Sequence, residues 1–298
     1  MADTAFPMRI DVPCMGYVAR RALRANGKGT VGAVFERSFY LKMPETWICI
    51  LGPCAAMGPL VLRSEIPPGG IDEGMAVSME NPTVLAGSGF LFSYADATTW
   101  TPPPAPAWTR GSLRRGVEFL IRWMERNHGP DEGLGELVLP RSATSPRSAT
   151  AGRAAQPIGA FRTWLAAALK GSPDPSPGGI DGLIGLGPGL TPSGDDFLGG
   201  AMIGLHLVGK PDLAARLSAA VLIEAARFTT AISQAHLAAA AEGGGSEWLH
   251  AALDGVLAGD AESLPRALRK VGQIGHTSGW DALAGAVTVF AETLESIA

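Results

Sequence analysis

The sequence predicts an α+β fold: an antiparallel, barrel-like β-rich part over residues 1–108, then a helical bundle over 109–298. Three observations carry this expectation. Short apolar runs broken by turn residues fill the first hundred positions; apolar spacing near 3.6 dominates the remainder; strands and helices segregate along the chain instead of alternating as βαβ units would.

In chain order, the strand-like runs are "TVGAVFERSFYL", "TWICILG", "GPLVLRSEI", "GMAVSME", "PTVLAG" and "FLFSY". Several are rich in β-branched or aromatic residues and end at Gly, Pro or Asn. "WTPPPAPAW" then reads as an extended connector. "GSLRRGVEFLIRWMERNHG" places Leu113, Val117, Leu120, Ile121 and Met124 on one helical face and stops at Gly129. The stretch 139–157, with its near-repeated "PRSAT", is poor in apolar residues and reads as a mobile loop. Helical patterns follow over 159–170, 196–208, 212–228, 229–241, 247–257, 261–271 and 278–297.

Composition narrows the function classes. Apolar residues at 46% against 17% charged exclude global disorder. A net charge of −4, with no basic stripe interleaved with aromatics, argues against nucleic-acid binding. Cys14, Cys49 and Cys54 form no CxxC pair and fit a reduced, cytoplasmic setting. The amino-terminal stretch lacks the layout of a signal peptide, and the uncharged run 197–208 is too short to span a bilayer, so no membrane partner is expected.

One stretch carries chemistry: "GLIGLGPGLTPSGDDFLGG", where a Gly-Pro turn enters a helix through two adjacent carboxylates. It is not a Walker A loop, for no lysine lies between Lys170 and Lys210. It is not the dinucleotide fingerprint either, because Leu190 stands where the last glycine should fall. What survives is general: a glycine-rich turn at a helix N-terminus presents N–H groups to an anion. Gly187, Gly189, Thr191, Ser193 and Gly194 are the candidate anion-binding residues.

The motif has an echo. "SGDDFLGG" from Ser193 and "SGWDALAG" from Ser278 share the pattern S-G-x-D-x-L-x-G. Each serine suits an N-cap, and Asp196 and Asp281 suit the return half of a capping box. Gly200 and Gly285, four residues beyond, suit a close helix approach. A purely structural reading makes these caps and packing residues. The functional reading brings the two helix starts within about 10 Å of each other around one anion, with Thr277 and Ser278 contributing from the second start. Asp195 has no counterpart in the echo and is a catalytic candidate as general base, and His276, approaching from the second helix start, is the other catalytic candidate. Asp195 and Asp196 are also candidate ligands for Mg²⁺, the one cofactor that the residues suggest, provided that a phosphate supplies further oxygens. "RFTTAISQAHL" reads as an N-cap with polar back-bonding from Thr229, Thr230 and Ser233.

"GLGPGLTPSGDDFLGG", "TTAISQAHLAAAAEG" and "GHTSGWDALAG" closely resemble the motif set of the AllH-type family, which includes a subunit associated with oxamate carbamoyltransferase. The resemblance implies phosphorolysis of oxalurate to carbamoyl phosphate and oxamate, within an assembly of other subunits in purine or related nitrogen catabolism. It implies a small anionic substrate or phosphate as ligand, and it supplies motifs without residue roles. Carbamoyl transfer passes through an oxyanion, for which preorganised donors are the expected aid. The rival expectations are a non-catalytic scaffold subunit and a stand-alone phosphate-binding, kinase-like protein, either of which could be a homo-oligomer.

Overall fold

Alternation of buried and exposed side chains builds the first unit. In the hairpin of β3 (Gly27–Phe35) and β4 (Ser38–Lys42), Val31, Phe39 and Leu41 turn inward, and Ile48 and Ile50 of β5 (Trp47–Leu51) join them. The structure is a computed structural model that describes residues 8–24, 27–65, 70–80, 82–86, 89–127, 130–138, 146–172 and 176–296. It divides into two units, Met1–Pro102 and Pro103–Ala298.

The remaining strands of the first unit are β1 (Met8–Asp11), β2 (Cys14–Gly16), β6 (Val61–Arg63), β7 (Ala76–Glu80), β8 (Thr83–Ala86), β9 (Phe90–Ser93) and β10 (Thr98–Trp100), with one helix, α1 (Tyr17–Leu23). They form one ten-stranded sheet in the order β1-β9-β8-β7-β3-β4-β5-β6-β2-β10. β1 lies at one edge and β2 next to the other, yet only Val12 and Pro13 separate them in sequence. The sheet must therefore curl until its edges approach, giving the half-barrel. Its interior holds Ile10, Met15, Phe39, Ile50, Val77 and Phe92, with the Phe39 and Phe92 rings 5.7 Å apart. The sheet is mixed and not wholly antiparallel: β1–β9, β2–β10 and β5–β6 pair parallel, because long connections carry the chain back before each pairing. The three cysteines are free thiols.

The second unit is helical: α2 (Arg110–Asn127), a 3₁₀ turn (Gly135–Val138), α3 (Ala149–Leu169), α4 (Ile180–Leu183), α5 (Ser193–Leu207), α6 (Pro211–Phe228), α7 (Ala231–Ala241), α8 (Glu247–Ala258), α9 (Leu264–Val271) and α10 (Ser278–Ser296). α2 buries Leu113, Val117, Leu120 and Met124, the face its spacing predicts. At the centre, α5 and α10 are buried along nearly their whole length, which is why their sequences read as apolar on every side. No helix among the described residues is long and apolar enough to cross a membrane.

The loop expected over 139–157 is corrected in part. Residues 149–157 are the first turns of α3, while 139–145 lie outside the described residues. Ser148 caps this helix by accepting the Ala151 N–H at 2.9 Å, and buried Glu136 takes the N–H groups of Arg147 and Ser148 at 3.0 Å each. The buried face of these first turns is Ala151, Ala154, Ile158 and Phe161, so alanine carries the start of the apolar stripe. Pro157 sits inside the helix, its carbonyl against Gly179, where a Cβ would come within 2.0 Å.

Candidate functional site

The echo in the sequence is a repeated helix–turn–helix. In the first copy the Leu186 N–H donates to the Leu183 carbonyl at 3.0 Å; in the second, the Ile274 N–H donates to the Val271 carbonyl at 3.0 Å. The Gly194 N–H then donates to Leu186 O at 2.9 Å and the Gly279 N–H to Ile274 O at 3.1 Å. A Cβ on Gly194 would meet Leu183 O at 2.0 Å, and one on Gly279 would meet Val271 O at 2.2 Å. Gly187 and Gly275 hold matching left-handed positions at φ +113° and +59°, each against the serine that opens the next helix. The copies differ between that glycine and the serine, where the first carries the longer loop.

These two copies pair with each other. A Cβ on Gly200 of α5 would lie 1.8 Å from Ala282 O of α10, and one on Gly285 of α10 would lie 1.8 Å from Phe197 O of α5. Ala282 follows Asp281 as Phe197 follows Asp196, so the two contacts are one contact seen from both sides of a local pseudo-dyad. The helices run side by side with their starts together, and the Thr191 and Ser278 hydroxyls meet at 2.9 Å. The expectation of adjacent starts is met.

The capping expectation is not. Ser193 is the first helical residue, Pro192 holds the cap position, and no side chain caps α5. In the second copy the Asp281 N–H donates to Thr277 O at 2.9 Å, so the cap position falls before Ser278 there too. The serines instead exchange across the pseudo-dyad: Ser193 hydrogen-bonds to Asp281, and Ser278 to Asp196. A proline in the cap position offers no side-chain acceptor to the first N–H groups of α5, and the Ser193 hydroxyl, already inside the helix, donates to the carboxylate of the neighbouring helix.

Asp195 is buried at 1% exposure and fully engaged. Its Oδ1 accepts the Gly185 N–H at 2.7 Å, while its Oδ2 accepts the Ser233 hydroxyl at 2.6 Å and the Thr229 hydroxyl. Burial raises its pKa; the bonds from Ser233, Thr229 and Gly185 draw it back. The residue ties the glycine turn to the start of α7, so both its oxygens already have work other than proton abstraction. Thr229 and Ser233 are the partners that spacing could not assign, since they lie far along the chain. The signal was their shared helix start, where Thr230 caps α7 as expected by accepting the Ser233 N–H at 3.0 Å.

Asp196 and Asp281 differ from it. Asp281 is wholly buried and its Oδ1 accepts the Leu134 N–H at 2.5 Å. Its Oδ2 is shut off from solvent without a hydrogen-bond partner, and the Oδ2 of Asp196 is in the same state. Burial pushes the Asp281 pKa up to about 6, against the donors that lower it. The Asp196 pKa is raised well above the usual carboxylate range, first by burial and then by the negative charge of Asp281. His276 stands outside this cluster, exposed, its Nε2 3.3 Å from the Glu132 carboxylate. Gly189 lies open, with nothing near the position a Cβ would take. Among the described residues no group of three or more His, Cys, Asp or Glu is arranged to hold a metal.

The family model described as oxamate carbamoyltransferase subunit AllH matches residues 183–290. That span begins at the first turn of the repeat and ends inside α10, so it covers both copies. No curated protein and no solved structure matches the chain.

Proposed function

We propose that this chain is a subunit of a carbamoyl-transferring enzyme of the oxamate carbamoyltransferase kind, binding phosphate, carbamoyl phosphate or a small carboxylate where α5 and α10 begin. The observation that carries the reading is the hydroxyl contact of Thr191 and Ser278, which joins two helix starts inside the span that the family model matches. Both helices direct the positive ends of their dipoles to this point. The reaction implied is phosphorolysis of oxalurate, in which phosphate oxygen attacks the ureido carbonyl, the C–N bond breaks, and oxamate leaves as its nitrogen gains a proton. Donors held in place would stabilise the oxyanion on the way.

Geometry redistributes the roles. The Gly194 N–H and the hydroxyls of Ser193, Thr191, Thr277 and Ser278 have partners within the fold, so an anion would meet Gly187 and Gly189 directly and would draw the Thr191, Thr277 and Ser278 hydroxyls away from Asp196 and Asp281. His276, exposed beside them, is the candidate proton carrier. Other subunits fit the surface: Leu190, Ile223 and Phe228 expose large apolar side chains, and the first and last flank the glycine turn, where the Thr230 hydroxyl bonds Leu190 O and Gly185 packs on Phe228 O.

Calorimetry of the folded chain with carbamoyl phosphate and phosphate, alone and with its partner subunits, tests the reading. Saturable binding, weakened at least tenfold by Thr191→Val together with Ser278→Ala, is expected. Failure to bind either ligand in the active assembly would instead make this chain a scaffold subunit.

A further inference from the structure

The paired helix starts invite an anion, yet two carboxylates, Asp281 buried and Asp196 half-buried, stand at the same point. Asp281 is 0% exposed and its Oδ2 has no partner; the Oδ2 of Asp196 is equally closed off and unpaired. The two are equivalent positions of the repeat, one from each copy, cross-linked by Ser193 and Ser278. Among the described residues no lysine or arginine forms an ion pair with either. Gly133, at φ +75°, lies so close that a Cβ there would come within 2.5 Å of Asp281 Oδ1 and 3.1 Å of its Oδ2. A segment that must be glycine thus closes over the carboxylate without donating to its second oxygen.

Asp281 accepts from Leu134, Gly135, Ser193 and Thr277, and Asp196 from Ser278 and Thr191, yet these neutral donors cancel no charge, and each carboxylate raises the cost of ionising the other. One proton shared between them would leave a net negative charge at the place where phosphate should arrive. A divalent cation cancels both charges, takes both orphan oxygens and gives an incoming anion a partner. We propose that Asp196 and Asp281 jointly hold one divalent cation of the Mg²⁺ class on the pseudo-dyad, with the hydroxyls of Thr191 and Ser278 beside it. The donors are hard oxygens with no sulfur or imidazole among them, the set that selects Mg²⁺ or Mn²⁺ over zinc. A cation held by two carboxylates keeps positions for water and for substrate phosphate. Asp195 is not a ligand, since hydrogen bonds already occupy both its oxygens. The cation itself needs only this geometry; its role as a phosphate anchor rests on the proposed function.

The probe is Mn²⁺ in solution with the full chain, followed by electron paramagnetic resonance, in which the free-ion signal falls on binding. One Mn²⁺ per chain is expected, displaced by excess Mg²⁺, with binding weakened at least tenfold in Asp196→Asn and in Asp281→Asn. Asp254→Asn, which alters a partly buried carboxylate of α8, should bind within about twofold of the natural chain. Should the Asn variants not fold, the natural chain still decides: saturating Mn²⁺ should raise its Tm by several degrees over the chelator-treated protein. Metal-stripped natural chain that is folded yet takes up no Mn²⁺ overturns the proposal, as does uptake that folded Asp196→Asn and Asp281→Asn leave unchanged. Absence of uptake with an infrared band of a protonated carboxyl that Asp281→Asn removes would mean a shared proton in place of the metal. Phosphate is added last. Mn²⁺ binding that phosphate does not tighten keeps the cation site and removes the anion reading alone.

Discussion

A carboxylate with three donors is a different object from a free base, and Asp195 shows the difference at the scale of one residue. In Asp195→Asn one acceptor oxygen becomes an NH₂ group, turned toward N–H or O–H donors that are buried with it. Leaving a buried donor unsatisfied costs about 1–3 kcal/mol, so a loss of that size is expected in urea unfolding. A residue that merely complemented the helix dipole would cost under about 1 kcal/mol. Turnover per folded molecule in the assembled enzyme should stay within a few-fold of the natural chain; a drop of 10²-fold at unchanged stability would restore the role of general base. Thr229→Val, which deletes one of the donors, should cost about 1 kcal/mol. The sequence singled out Asp195 as the acid that the echo left unexplained, and it singled out the hydroxyls of Thr229 and Ser233. It could not join them, because a hydrogen bond between distant segments leaves no periodicity.

At the scale of elements, the α5–α10 pair is held by backbone contact. Gly200 and Gly285 lie where a Cβ would sit 1.8 Å from a main-chain carbonyl oxygen, and a carbonyl on a neighbouring helix cannot rotate away as a side chain can. Gly200→Ala and Gly285→Ala must part the helices, each at a cost of about 3 kcal/mol or more. The pseudo-dyad makes the two losses similar, and the double variant should lose less than their sum, since the first separation already relieves the second clash. Gly199→Ala is the control: its Cβ would meet the Ala240 Cβ at 3.6 Å and the Leu237 Cδ2 at 3.9 Å, both ordinary contacts, so helix propensity should leave it neutral or slightly stabilised. Thermal unfolding of the four proteins checks the set, and a Gly285→Ala chain as stable as Gly199→Ala would refute the close approach. The S-G-x-D-x-L-x-G echo made this pair legible, glycines included. The start of α3 was illegible for the opposite reason: Ala151 and Ala154 form its buried face, and alanine is too small to register as an apolar stripe beside "PRSAT".

For the whole molecule, acid stability is decided in the helical unit. Burial lowers the pKa of His250 to about 4, and that of His236 to about 4. His250 is held neutral for a visible reason besides burial, because its Nε2 accepts the Gly245 N–H at 3.2 Å and cannot do so once protonated. Both histidines take up protons near pH 6.5 when unfolded, so the unfolded chain binds more protons between pH 6.5 and 4, and stability falls as pH drops through that window. Asp254 acts in the opposite sense. Its pKa is raised to about 6 by burial, so the native state keeps a proton that the unfolded chain releases near pH 4, and this part of the stability grows as pH falls from 6 to 4. Burial raises the pKa of Asp195, Asp196 and Asp281 as well, so four aspartates oppose the two histidines and the share of His250 has to be isolated. His250→Gln separates the contributions, because an amide oxygen can still accept from Gly245 and does not titrate. Its Tm should start below that of the natural chain at pH 7 and gain on it steadily toward pH 4.5, with the crossing governed by the proton that His250 refuses. Parallel Tm curves over that range would mean that His250 titrates in the native state as it does in the unfolded one, and the buried acceptor at Gly245 would have to be abandoned.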